Sequence, residues 1–155
     1  LPGYYEEGGL IIKQAREMGI MQPILGPDGF ANSTLVELAG ADNVDNVFYA
    51  SHFTPNSEDP KVQEFLAAFE AEYGKPADSF AALAYDAAQL VFDAIANADS
   101  TDPQAITDAL AATEDFEGVT GTFSFDENHN PIKSAFVIEL QDGVEVGNSV
   151  VEPAK

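Results

Sequence analysis

Between residues 6 and 18 the apolar positions Ile11, Ala15 and Met18 recur at helical spacing, with Lys13, Gln14 and Arg16 turned outward. That pattern predicts an amphipathic helix, and Gly19 predicts its end. Pro23 to Gly26 predicts a short strand, with Gly26-Pro27-Asp28-Gly29 as the loop at its carboxyl end. Asn32 or Ser33 can cap a short helix through Leu38 that Gly40 closes, and Val47 to His52 predicts a second strand. A helix-strand-helix-strand alternation predicts an α/β layer with a largely parallel sheet.

The polar stretch Pro55 to Pro60 is a connector. Beyond it, Val62, Phe65, Leu66, Phe69 and Tyr73 mark a helix by their three-and-four spacing. A longer helix follows, with Phe80, Leu83, Ala84, Ala87, Leu90, Val91, Ala94 and Ile95 on one side, and Asp102-Pro103 opens a third. From Gly121 the period changes to two. Thr122 to Phe125 and Ser134 to Leu140 predict strands around an Asp126–Pro131 turn, and Asp142-Gly143 predicts a hairpin into Val144 to Val151.

Composition narrows the function classes. With 155 residues, 45% of them apolar, the chain is long enough for a real core. A formal net charge of -21 repels phosphate backbones and anionic lipid, so nucleic-acid and membrane-surface partners are disfavoured. There is no cysteine, so thiol chemistry and thiolate metal sites are excluded. The apolar runs read as too short to span a bilayer. The abrupt start at Leu1-Pro2-Gly3 reads as the end of a strand, the expectation being a fragment.

Candidate chemistry is sparse. Asp28 sits just past a predicted strand, where α/β sheets tend to bind ligands. A carboxylate there can accept two hydrogen bonds from an ammonium group. Ordinary Pro-Asp-Gly turn chemistry remains the alternative. Tyr4 can offer an apolar wall and a hydroxyl, or be an aromatic tucked under a loop. His52 and His129 have no metal-ligand spacing, and Asp126, Asn128 and Asn130 imitate half a calcium loop but have Pro131 where that loop needs glycine. Gly8-Gly9 lacks the context of a nucleotide site, and no cofactor is expected. An acid-base pair of Asp28 with Glu6 or Glu7 in a small hydrolytic α/β enzyme is the rival from another class.

Three segments carry a family resemblance: Pro2-Gly3-Tyr4-Tyr5-Glu6-Glu7-Gly8-Gly9, Gly26-Pro27-Asp28-Gly29-Phe30-Ala31-Asn32, and Phe69 to Ala87 with its Gly74-Lys75-Pro76 turn. Their order and spacing resemble the later part of type I periplasmic solute-binding proteins of the branched-chain amino acid transport family. The resemblance implies an incomplete α/β fold of that type, with parallel sheet layers flanked by helices and a closing β-hairpin. It implies that residues 1–52 belong to the second lobe, 53–131 to the first, and 132–155 to closing strands of the second. By the same resemblance Asp28 would hold the α-amino group of a small amino acid or amide, with Tyr4 and Phe80 bordering the cleft. For Phe80, plain core packing is the competing reading. The implied setting is periplasmic or extracellular, feeding an ABC permease, or else a sensor domain of the same fold. The segments that bind the ligand's carboxylate are absent, so the missing amino-terminal half or a second copy is an expected partner.

Overall fold

The computed structural model describes residues 1–153, the side chain of residue 148 excepted. In chain order its elements are α1 (Tyr5–Glu17), β1 (Ile24–Gly26), α2 (Thr34–Ala39), β2 (Val47–Ser51), α3 (Pro60–Tyr73), α4 (Ser79–Ala98) and α5 (Pro103–Ala111). Then come β3 (Phe116–Gly118), β4 (Gly121–Phe125), β5 (Pro131–Ile132), β6 (Ala135–Gln141) and β7 (Val144–Val151). They fall into two units. The first is Leu1–Thr54 with Asp78–Phe80 and Ala135–Val151; the second is Pro55–Ala77 with Ala81–Ser134 and residues 152–153.

The first unit holds a four-stranded sheet ordered β1-β2-β6-β7. Its one parallel pair is β1–β2; the β6–β7 hairpin joins β2 antiparallel, so the α/β layer is mixed rather than largely parallel. Val47, Tyr49 and Ser51 alternate inward on β2, in register with Leu140, Ile138 and Phe136 of β6. Ile12, Phe30, Leu35, Val44, Val47 and Ile138 form the centre of the core. Each such side chain contributes about 1.5–3 kcal/mol on burial. The opposite sheet face leaves Leu25 and Val137 exposed.

Helix α1 corrects the expected facing. Its packed stripe is Gly8, Ile12 and Arg16 with Gly9, whereas Ile11 and Met18 are exposed, Met18 at 78%. The two glycines allow close approach, because a Cβ on Gly9 would stand 2.8 Å from the Leu35 carbonyl oxygen. Residues without side chains carry no hydropathy signal, so the period pointed to the wrong side. Arg16, expected outside, is only 8% exposed. Its guanidinium donates to four carbonyls: Asn43, Ile20, Gln22 and Asp45, at 2.6–3.2 Å.

The second unit packs three helices with a sheet ordered β3-β4-β5. Asp59 and Asp102 cap α3 and α5 by accepting from the N–H groups of Lys61 and of Gln104 and Ala105, each before a proline at the first turn. In α4 the buried positions are Ser79, Ala82, Asp86 and Ala94; of the expected side only Ala94 is among them, while Phe80, Ala84, Ala87 and Val91 lie exposed. Asp86 explains the shift. Its carboxylate accepts from Val119 N and Thr120 N at 2.8 Å each and from Thr120 Oγ1 at 2.6 Å. A satisfied buried acid takes an inward position outside the apolar stripe that the pattern predicts. By length and composition α4 is also apolar enough to cross a membrane, contrary to the sequence expectation. Asp86 nevertheless builds it into this unit.

Candidate functional site

The loop after β1 is shaped by one ring. Phe30 is fully buried, and it fills the space that a Cβ on Gly8 or on Gly26 would need. With that ring fixed, Asp28 to Phe30 form a single 3-10 turn: Phe30 N donates to the Pro27 carbonyl at 3.1 Å and Ala31 N to that of Asp28 at 3.0 Å. Asp28 is thereby left exposed at the carboxyl end of β1. Its carboxylate has no hydrogen-bond or ion-pair partner among the described residues.

Tyr4 immediately precedes α1 in extended conformation and is 60% exposed. Gly29 draws the two candidates together, since a Cβ there would lie 2.7 Å from the Gly3 carbonyl oxygen and 3.0 Å from Tyr4 Cδ1. Phe80, the second residue of α4, is 38% exposed. Its ring meets Tyr5 edge-on, with centroids 6.0 Å apart and planes at 64°. Asp78 accepts a hydrogen bond from Asn32 Nδ2 at 2.7 Å. All of these residues belong to the first unit.

The surroundings are acidic. Glu6 and Glu7 occupy the first turn of α1, where carboxylates complement the helix dipole, and Asp28 and Asp78 add to them. Such a neighbourhood favours a cationic group on a ligand. Backbone N–H groups at the start of α1 are also at hand, because Tyr4 makes no side-chain cap.

Sequence reasoning missed Asn32 and Asp78 as a pair; each was legible singly, as a polar residue just before an apolar helix. It also chose Tyr4 over Tyr5, and the structure gives Tyr5 the contact with Phe80. No cluster of three or more His, Asp or Glu side chains suited to a metal occurs among the described residues. The imitation of a calcium loop is a turn in which the Asp126 carboxylate accepts from Asn128 N and Asn130 N at 2.8 Å. Hydrogen bonds from Asn130, side chain first, hold that carboxyl below its ordinary range. A cavity of about 590 Å³ lies wholly in the second unit, lined by Phe65, Phe69, Tyr73, Tyr85 and Phe116, and includes none of the three candidates.

Comparison with known proteins supplies the context. The family described as periplasmic binding protein matches residues 6–145. A leucine-, isoleucine-, valine-, threonine- and alanine-binding protein of Pseudomonas aeruginosa is 33% identical over 125 residues, covering 81% of this chain and 33% of its own length. The branched-chain amino acid transporter substrate-binding protein LivJ of Streptococcus pneumoniae, solved with isoleucine, is 42% identical with a TM-score of 0.88. That match covers 98% of this chain and 43% of the other. A solute-binding protein of R. palustris solved with benzoate is 28% identical with a TM-score of 0.78, over 96% of this chain and 41% of the other. The chain thus spans between a third and a half of the relatives it matches.

Proposed function

Because the chain belongs to the periplasmic binding protein family, we propose that it is part of the extracytoplasmic substrate-binding component of an ABC importer, taking a branched-chain or similar small amino acid. The supporting observation is Asp28: an exposed carboxylate without an internal partner, on a loop held rigid by a buried ring, beside an exposed aromatic. In this reading Asp28 accepts from the ligand's ammonium group, and Tyr4 and Phe80 supply apolar walls. Charge-assisted hydrogen bonds of this kind contribute about 1.5–3 kcal/mol each. No chemistry is performed on the ligand. The ligand stabilises a state that a membrane permease recognises, and the protein works in the periplasm or outside the cell.

Residues 1–52 and 132–155 are assigned in this reading to one lobe and residues 53–131 to the other. Groups for the ligand's carboxylate come from polypeptide outside this chain. The open sheet face with Leu25 and Val137, and the exposed Tyr85, Val91 and Phe92 of α4, support a need for further covering polypeptide, a preceding half or a second copy.

Titration calorimetry on the natural full-length gene product tests the reading, with leucine, isoleucine, alanine, glutamate and glutamine as probes. Asp28→Ala should weaken leucine by at least tenfold, about 1.4 kcal/mol. The des-amino analogue 4-methylpentanoate should bind poorly and be indifferent to the substitution. Leucine affinity unchanged in Asp28→Ala overturns the assignment.

A further inference from the structure

Of all residues between 55 and 134, only Asp78, Ser79 and Phe80 belong to the first unit. Two side-chain interactions connect this short insertion to the loop that carries Asp28 and to the helix that Tyr4 precedes. One is the edge-on contact of Phe80 with Tyr5; the other is the hydrogen bond from Asn32 to Asp78. The Asn32 amide is fixed at both ends. Its Oδ1 accepts from Thr34 N at 2.9 Å, so the amide cannot flip, and its Nδ2 must point at the Asp78 carboxylate. A bond to a charged acceptor is the stronger kind, and this one is partly buried. Asp78 directly precedes α4, so its position sets where the first turn of that helix begins, and Phe80 lies in that turn.

We infer that Asn32 is a positioning residue: by tying the Asp28 loop to Asp78 it sets the place of Phe80, and with it the apolar wall that selects larger aliphatic ligands. This rests on the reading of Asp28, Tyr4 and Phe80 as the ligand site. Neither Asn32 nor Asp78 need touch the ligand.

The test is a double-substitution cycle in the natural full-length product, read by calorimetry with leucine and alanine and by thermal midpoint. Asn32→Asp sets two carboxylates against each other while keeping the acceptor for Thr34 N. It should weaken leucine about tenfold or more, and alanine by less, because in the proposed site Phe80 serves as an apolar wall, on which the larger side chain depends more. Asp78→Ala removes the acceptor without adding charge and should likewise cost leucine more than alanine. The exchanged pair Asn32→Asp with Asp78→Asn restores an amide facing a carboxylate and should recover most of the leucine affinity. Asp28→Asn is run in parallel. If it abolishes binding while Asn32→Asp binds like the parent, or if the exchanged pair recovers nothing, the inference fails alone. If Asp28→Asn also binds like the parent, the site reading fails and carries the inference with it. An equal loss for leucine and alanine assigns Asn32 a general folding role and overturns the proposal.

Discussion

Phe30 occupies the volume that a side chain on Gly26 would need, so the strand that ends at Gly26 and the loop that presents Asp28 are locked by a single ring. Gly26 is not in the left-handed region, so alanine would suit its backbone; the conflict is purely steric. Gly26→Ala should destabilise by about 1–3 kcal/mol, the usual cost of overpacking. Adding Phe30→Leu should recover part of that loss, giving a favourable coupling in a urea-denaturation cycle. Simple additivity would show that the ring does not sit against Gly26 in solution.

Arg16 ties together three pieces of backbone: the turn after α1 at Ile20 and Gln22, the segment at Asn43, and Asp45 just before β2. A lysine has neither the planar fork nor enough donors to replace it. Arg16→Lys should therefore be nearly as harmful as Arg16→Met, each lowering stability by at least about 2 kcal/mol, since hydrogen bonds to charged groups and stranded carbonyls are both involved. Chemical denaturation decides this. A lysine variant within about 0.5 kcal/mol of the parent would mean that water serves those carbonyls equally well.

The elements themselves were largely legible. The turn signals Gly19, Gly40, Gly74 and Asp142-Gly143 all mark real ends, and each of those glycines has positive φ, as a left-handed terminus requires. The faces were less legible. In α1 the closest packing is made by Gly8 and Gly9, which hydropathy cannot see, and by Arg16, which it places outside. In α4 the inward stripe runs through Asp86, a charge made tolerable by hydrogen bonds from Val119 N, Thr120 N and the Thr120 hydroxyl. β3 was missed because Phe116-Glu117-Gly118 is too short to show a period. At the site, residue types were visible but juxtapositions were not. Nothing in the order of residues says that Asn32 meets Asp78 across forty-six positions.

Asp86 and Lys133 share Thr120. The Thr120 hydroxyl donates to Asp86 and accepts from Lys133 Nζ at 2.6 Å, and Lys133 also lies 4.9 Å over the Phe123 ring. Burial lowers the Lys133 pKa, and the negative charge of Asp86 opposes that fall. Asp86→Asn should thus lower it further, which an amine-acylation rate measured at about pH 9 would report as faster modification. Lys133 in the folded chain binds a proton less readily than in the unfolded chain. Stability should therefore rise with pH between the lowered folded value and the ordinary lysine value near 10.4. Lys133→Met should flatten that rise. Asp86→Ala, which leaves Val119 N and Thr120 N buried without an acceptor, should cost about 3 kcal/mol.

Tyr49 gives a pH dependence of the opposite sign. Its ring is buried in the core, and its hydroxyl donates to Glu145 Oε1 at 2.7 Å, while Thr54 Oγ1 reaches Glu145 Oε2 at 3.4 Å. Burial first, then the charge of Glu145 and the hydrogen bond to it, push the Tyr49 pKa far above its ordinary value of about 10. Above that pH the unfolded chain loses the phenolic proton and the folded chain keeps it. The stabilisation is whole below about pH 10 and drains away as pH rises further, because the folded state then holds more protons than the unfolded one. Tyr49→Phe cannot show this loss. Urea midpoints taken at pH 8, 10 and 11 should converge between parent and variant as pH increases, the parent falling more steeply. Parallel slopes would mean that the hydroxyl ionises in place, and that the contact with Glu145 opens before the fold does.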